Sequence, residues 1–442
     1  MTLSRRQFLI SAAGAAGAAV AGLTMARHPW TALTGGPTSS GSASADGKGT
    51  LVLLTLYGGN DGLNTVIPYQ DGHYLGGRSQ LGYQPNEVIP LSDGLALHPN
   101  MKGMKALWDR RQLAIVRGVG YPNPSRSHFR SMDIWQSGVP EWAVPSGWLG
   151  RWLDGTGTDP LRALAVGANL PRAMTGEKVA AAAVPVGPLD LPGGSVGTGF
   201  ASLAGAGASP APLAARIIQV DSDLLKVDKT VADLLASQPT DEAANHATNL
   251  DGQGGTGTPP TTAKPAKAGQ SAKPGKPGKP AKGSAGTLAS QLGLVARLVK
   301  AGSPSRAYGV SLGGFDTHAN EKETHARLWA EVDAAVSGFF TELAGNRHGD
   351  SVVLLAHSEF GRRVAANASG GTDHGTAAPV FVVGPQVKGG FYGDEPTLTD
   401  LDAGDLKFTT DFRSVYATVL DGVIGVDPKQ ALGKPFKPLA FL

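Results

Sequence analysis

The stretch LVLLTLYGGNDGLN, residues 51–64, decides the fold: an apolar run from Leu51 to Tyr57 ends abruptly in Gly58-Gly59-Asn60-Asp61-Gly62-Leu63-Asn64. A short apolar run closed by glycines is a buried strand, and the glycines mark the tight turn that follows it. Polar residues immediately past a strand end are where open α/β sheets gather ligands, so Asp61 is a candidate ligand for a cation. An ordinary Asn/Asp/Gly turn is the competing reading of the same residues.

Outward from this stretch the pattern repeats. Leu113 to Val119, Leu161 to Val166, Arg306 to Leu312, Ser351 to Ala356 and Val380 to Val383 also read as buried strands. Pro99 to Arg110, Pro212 to Ser237, Leu288 to Ala301, Glu321 to Ala344 and Thr410 to Ile424 read as helices. In the fourth of these, Leu328, Val332, Ala335, Val336 and Phe339 or Phe340 form an apolar stripe at helical spacing. Alternating strands and helices predict an α/β fold with a doubly wound, mostly parallel sheet.

The α/β chain is expected in two parts, 49–237 and 287–442. Between them, Gln238 to Gly286 is a Pro/Lys/Gly/Ala/Thr tract almost without large apolar side chains. Such a tract cannot bury enough surface to offset its ordering entropy, so a disordered insertion is expected. Its lysines could touch anionic cell-wall polymer weakly; a solvated linker is the plainer reading.

The chain has 442 residues and no cysteine, which excludes disulfides, thiolate zinc sites, iron–sulfur clusters and thiol catalysis. Any metal must therefore sit on Asp, Glu, His or hydroxyl oxygen. The formal charge of +3 misleads, because Arg5, Arg6 and Arg27 with the six lysines from Lys264 to Lys282 supply nine positive charges. Removing those nine leaves −6, a weakly acidic body with no electrostatic footprint for nucleic acid.

Ser4-Arg5-Arg6-Gln7-Phe8-Leu9, the Ala/Gly-rich run Ile10 to Leu23 and the small-residue end at Ala26 read as a twin-arginine export signal over residues 1–27. The run is too short to span a bilayer as a mature helix. Residues 28–48 make a flexible tether. Export to the envelope or beyond is the expected localisation.

Four more polar clusters follow predicted strands. Ser125-Arg126-Ser127-His128-Phe129-Arg130 sets a hydroxyl at a helix start, suited to a nucleophile beside backbone N–H groups, or simply to a helix cap. Gly313-Gly314-Phe315-Asp316-Thr317-His318 offers mixed oxygen and nitrogen donors that suit Zn, Mn or Fe without thiolate. His357-Ser358-Glu359-Phe360-Gly361-Arg362 and Gly371-Thr372-Asp373-His374-Gly375 complete the set. Gly309-Val310-Ser311-Leu312-Gly313 also fits a nucleophile elbow, which would make Ser311 an esterase serine; an elbow serine should lead straight into a helix, and here the helix waits until about Asn320.

Gly-Gly-Asn-Asp-Gly-Leu-Asn, Ser-His-Phe-Arg-Ser-Met-Asp-Ile-Trp-Gln-Ser-Gly, Gly-Phe-Asp-Thr-His, Ser-Glu-Phe-Gly-Arg and Thr-Asp-His-Gly-Thr, taken together with the export signal, resemble domain-of-unknown-function family 1501. That family is similar to a remote branch of the alkaline phosphatase and sulfatase superfamily. The resemblance implies an alkaline-phosphatase-like sheet and a divalent ion (Zn, Mn, Ca or Mg) held by Asp61, Asp316, His318, Glu359, Asp373 and His374. It implies Ser127, with His128, Arg130 and Arg362, as the catalytic group acting on small-molecule or polymer esters of phosphate or sulfate. Two departures stand out: Asp316 and His318 are two apart where the superfamily spaces such a pair by four, and Phe360 occupies a position where it carries histidine. His357 is the expected compensation. A non-catalytic envelope protein that binds a polymer is the alternative from a different class.

Overall fold

The structure, a computed structural model, describes residues 49–442 except 168, 188–194, 196–197, 200–201, 203–211 and 238–285. The expected signal (1–27) and tether (28–48) lie outside the described residues, as does the insertion apart from Gly286.

The first strand, β1 (Thr50–Leu56), lies between two strands that follow it by more than 250 residues. On one side is β5 (Ala307–Leu312) and on the other β6 (Val352–Ser358), both parallel to it. Beyond β5 come β3 (Ala163–Val166) and β4 (Ala182–Val184), again parallel. Beyond β6 come β9 (Ala378–Val383), β2 (Leu113–Gly120) and β10 (Gly390–Tyr392), while β11 (Thr410–Asp411) extends β2. Every strand of this sheet is parallel to β1 except β9, which is antiparallel to both neighbours. A separate hairpin of β7 (Arg362–Ala366) and β8 (Thr372–His374) follows β6.

Continuous apolarity in β1 is explained by burial on both faces. Val52, Leu54 and Leu56 enter a core with α1 (Lys102–Asp109), α5 (Leu288–Lys300) and α6 (Glu321–Leu343). Leu51 and Leu53 enter a second core with α3 (Trp148–Asp154) and α7 (Phe412–Val419). The doubly wound, mostly parallel sheet is as expected, and each of the expected strands and helices is present to within a few residues. The helix expected from Thr410 starts two residues later, because Thr410 and Asp411 pair with β2 and the Asp411 carboxylate then caps α7 at the Arg413 N–H. Among the described residues, no helix is long and apolar enough to cross a membrane.

Candidate metal centre

At the carboxyl edge of β1, β5 and β6, four side chains aim their donor atoms at one another. Asp316 Oδ1 lies 3.1 Å from His318 Nε2, 3.2 Å from His374 Nε2 and 3.4 Å from His128 Nε2. The two Nε2 atoms of His318 and His374 are 2.9 Å apart. Asp316 and His318 come from the loop after β5, His374 ends β8, and His128 opens α2 (His128–Ser137).

The outer nitrogens of the three imidazoles are all held. His128 Nδ1 is 2.8 Å from Glu359 Oε1, His318 Nδ1 is 3.3 Å from Asp373 Oδ1, and His374 Nδ1 is 2.7 Å from the Arg126 carbonyl oxygen. Oxygen acceptors at Nδ1 favour the proton there, and in that tautomer each Nε2 lone pair faces inward. The buried Nε2 of His128 has no hydrogen-bond partner at all. Inward-facing lone pairs beside a carboxylate repel unless a cation lies between them; His128, Asp316 and His374 offer donor atoms within 4.8 Å of one another, a set that fits a divalent ion with nitrogen and oxygen ligands, and His318 stands beside it.

The loops are locked by close backbone approach. Gly58, at φ +121°, lets the turn after β1 press against the Phe315–Asp316 backbone, where any side chain would collide. The buried Arg362 guanidinium then bridges the pieces, donating to Gly58 O, to Gly59 O at 2.7 Å, to Phe315 O at 3.0 Å, to Thr372 O at 2.9 Å and to Asp316 Oδ1 at 2.8 Å. Burial works against ionisation of Asp316, but the Arg362 guanidinium outweighs it and the carboxyl is held down at about 2. Burial also lowers His374, which favours the neutral imidazole.

Of the residues expected as ligands, the structure brings Asp316, His318 and His374 together and sets Glu359 and Asp373 behind histidines. His128, expected among the catalytic groups, offers its Nε2 to the cluster. Asp61 does not join it: its carboxylate is fully buried against the Arg78 guanidinium, beside Glu321. Arg362 is a strut under Asp316 with its donors already spent on carbonyls, not a free clamp for a substrate. Arg130 is engaged by Asp133 Oδ2 at 2.9 Å and by Pro140 O at 3.0 Å. His357 does not compensate for Phe360; it is buried, stacked on Trp135 at 4.7 Å and 8°, and burial lowers it to about 4.

Ser127 is exposed at the N-cap of α2, and its side chain makes no cap hydrogen bond, so its hydroxyl is uncommitted. Ser311 lies in β5 with its backbone bracketed by the Gln291 amide, at 2.9 Å on each side. Neither a following helix nor a histidine attends it, and the elbow geometry is absent. Arg126 was passed over in the sequence because its contribution is a backbone carbonyl, which no motif displays.

The structure thus defines a doubly wound α/β protein with a half-exposed cluster of three histidines and an aspartate at the sheet edge. The chain belongs to the proteins of unknown function of family DUF1501, matched over residues 48–436. No curated protein matches it. Among solved structures, a protein in the alkaline phosphatase superfamily from Vibrio parahaemolyticus aligns over 88% of this chain and 71% of its own, at 11% identity and a TM-score of 0.35. Ps i-CgsB in complex with k-i-k-neocarrahexaose aligns over 88% of this chain and 75% of its own, at 10% identity and a TM-score of 0.34. These likenesses are too distant to carry any statement about activity.

Proposed function

We propose that the protein is an exported, metal-dependent hydrolase that splits phosphate or sulfate esters into the alcohol and the free anion. The observation that carries this reading is the convergence of three imidazole Nε2 atoms on Asp316 Oδ1, with an oxygen at every outer nitrogen. A divalent ion held by His128, Asp316, His318 and His374 would supply Lewis acidity, polarising an ester oxygen and making water nucleophilic near neutral pH.

The chain's own groups provide the rest. The N-terminus of α2, uncapped by a side chain, turns free N–H groups and the positive end of the helix dipole towards an anion. Ser127 stands at that terminus with a free hydroxyl, placed to attack phosphorus or sulfur or to orient a water. Glu359 and the Arg126 carbonyl keep His128 and His374 in the tautomer that leaves Nε2 open.

Metal content of the exported protein, followed by hydrolysis of 4-nitrophenyl phosphate and sulfate by wild type and Asp316→Ala, tests the reading. About one equivalent of metal and turnover lost in Asp316→Ala are expected; metal-free protein without Asp316-dependent turnover would falsify it. Export rests on the Arg5-Arg6 pattern, and replacing both arginines by lysine should stop secretion. A non-catalytic binding role on the same fold is favoured by one feature, the Phe360 ring 4.9 Å from both His128 and His374. Metal bound at full occupancy with every ester refused would select it.

A further inference from the structure

Phe360 occupies a place where the resemblance expects a ligand, and its surroundings give the ring a different task. It lies over Gly59, where any side chain would strike it, so the second glycine of the β1 turn makes room for this ring. Its centroid is 4.9 Å from those of both His128 and His374. Phe360 also lines a cavity of ≈ 330 Å³.

The apolar walls are Tyr121, Trp135, Leu406, Pro124 and Phe408, and Asn123, Ser125 and Asp402 add polar edges. They are held in place. Tyr121 Oη lies 2.7 Å from Ser131 Oγ and accepts from the Ser125 N–H at 3.1 Å. Thr376, the hydroxyl on this wall, donates to the Leu406 carbonyl. Lys407 at the rim is paired with Asp400. Between its polar edges the cavity offers ring faces and aliphatic surface. A cavity of about 150 Å³ accepts benzene, so this one takes a phenyl ring with room for a linker.

We propose that this cavity is the subsite for the alcohol portion of the ester and that it takes an aromatic ring on a short aliphatic linker. The substrate part rests on the hydrolase reading; binding of the ring does not. An occupant stacked on Phe360 at an aromatic spacing of about 5 Å lies on the order of 10 Å from the imidazole centroids. An ester oxygen attached directly to the ring would fall short, whereas two or three methylenes at about 1.5 Å per bond bridge the gap. Hydrolysis consumes one water, breaks the bond from phosphorus or sulfur to oxygen or the alcohol's C–O bond, and releases the arylalkyl alcohol and the anion.

Full-length protein is titrated with 2-phenylethanol and 3-phenyl-1-propanol, with 1-butanol as the non-aromatic control, following the fluorescence of Trp135 and its neighbours. Steady-state kinetics then compare phenyl, 2-phenylethyl and 3-phenylpropyl phosphates and sulfates. Aromatic alcohols should bind about 10- to 100-fold tighter than butanol, and kcat/KM should rise by a similar factor from the phenyl to the phenylalkyl esters. Leu406→Phe, which fills the cavity, should weaken the aromatic alcohols about tenfold; should that variant misfold, nuclear Overhauser contacts from 2-phenylethanol to Phe360 and Trp135 in the wild type decide instead. Turnover with no preference for linker length, or no aromatic binding, overturns the subsite and leaves the hydrolase reading standing. Binding with no ester turned over removes the hydrolase reading and leaves an aromatic-alcohol site.

Discussion

Two clusters of charge sit at the same edge of the sheet and obey opposite rules. Around Asp61 the charges are buried and paired: Arg78 bonds the carboxylate through Oδ2 and also donates to Val364 O at 2.9 Å and Arg363 O at 2.6 Å. The two unpartnered oxygens there, Asp61 Oδ1 and Glu321 Oε1, belong to neighbouring carboxyl groups, and one shared proton satisfies both. Around Asp316 the side chains are half-exposed and their donor atoms face each other. Paired charge is scaffolding; convergent donor atoms are what a metal site requires.

The largest way to break this contrast is Arg78→Ala. It strands the buried Asp61 charge and should cost about 3–5 kcal/mol in urea unfolding, because an unpaired buried ion is heavily penalised. A loss below about 1 kcal/mol would show that Asp61 is not structurally committed. Next, chelation should lower stability by about 2.7 kcal/mol when the metal had stood at a hundred times its Kd, and Asp316→Ala should be indifferent to chelator. Equal responses of the two proteins would place the ion elsewhere.

Glu359→Gln sharpens the comparison within the site. Weakening the acceptor behind His128 should reduce metal affinity about 10- to 100-fold without removing a ligand, as read by competition with a chromophoric chelator. Unchanged affinity would make the 2.8 Å contact incidental.

The remaining effect is a slope, spread over several pH units. Burial, then the charge of Asp61, pushes Glu321 up from 4.5 to about 9, so the folded state keeps a proton that the unfolded chain loses. The contribution of this group is whole below pH 4.5 and is lost as pH rises through about 9, at no more than about 1.4 kcal/mol per pH unit. Asp61, held low by Arg78, acts with the opposite sign and only in acid. Glu321→Gln should therefore flatten the fall of stability between pH 5 and 8; parallel curves would rule out the shared proton.

Much of this was legible in the sequence, and the failures have physical causes. Strand runs such as Val352 to Ala356 are continuous because both faces are covered, and Asp316 and His318 follow such a run, whereas His374 ends the small β7–β8 hairpin. Asp61 follows a strand in the same way, and only the partner distinguishes it; Arg78 lies at the end of a short helix, and no local pattern points it at Asp61. The reversed direction of β9 is equally silent, since an apolar run reads alike both ways. His128 was overshadowed by the serine beside it, because its role depends on Glu359, 231 residues away.

The position of β1 has a consequence for how the protein is made. Its hydrogen-bonding partners on both sides, Ala307 to Leu312 and Val352 to Ser358, are translated long after it. Until the ribosome has delivered them, one of the most apolar segments of the chain has nowhere to go, so assembly is late, dominated by distant contacts and exposed to aggregation. His128 emerges early and His374 among the last seventy residues, so the histidine–aspartate cluster cannot be complete before synthesis is nearly over.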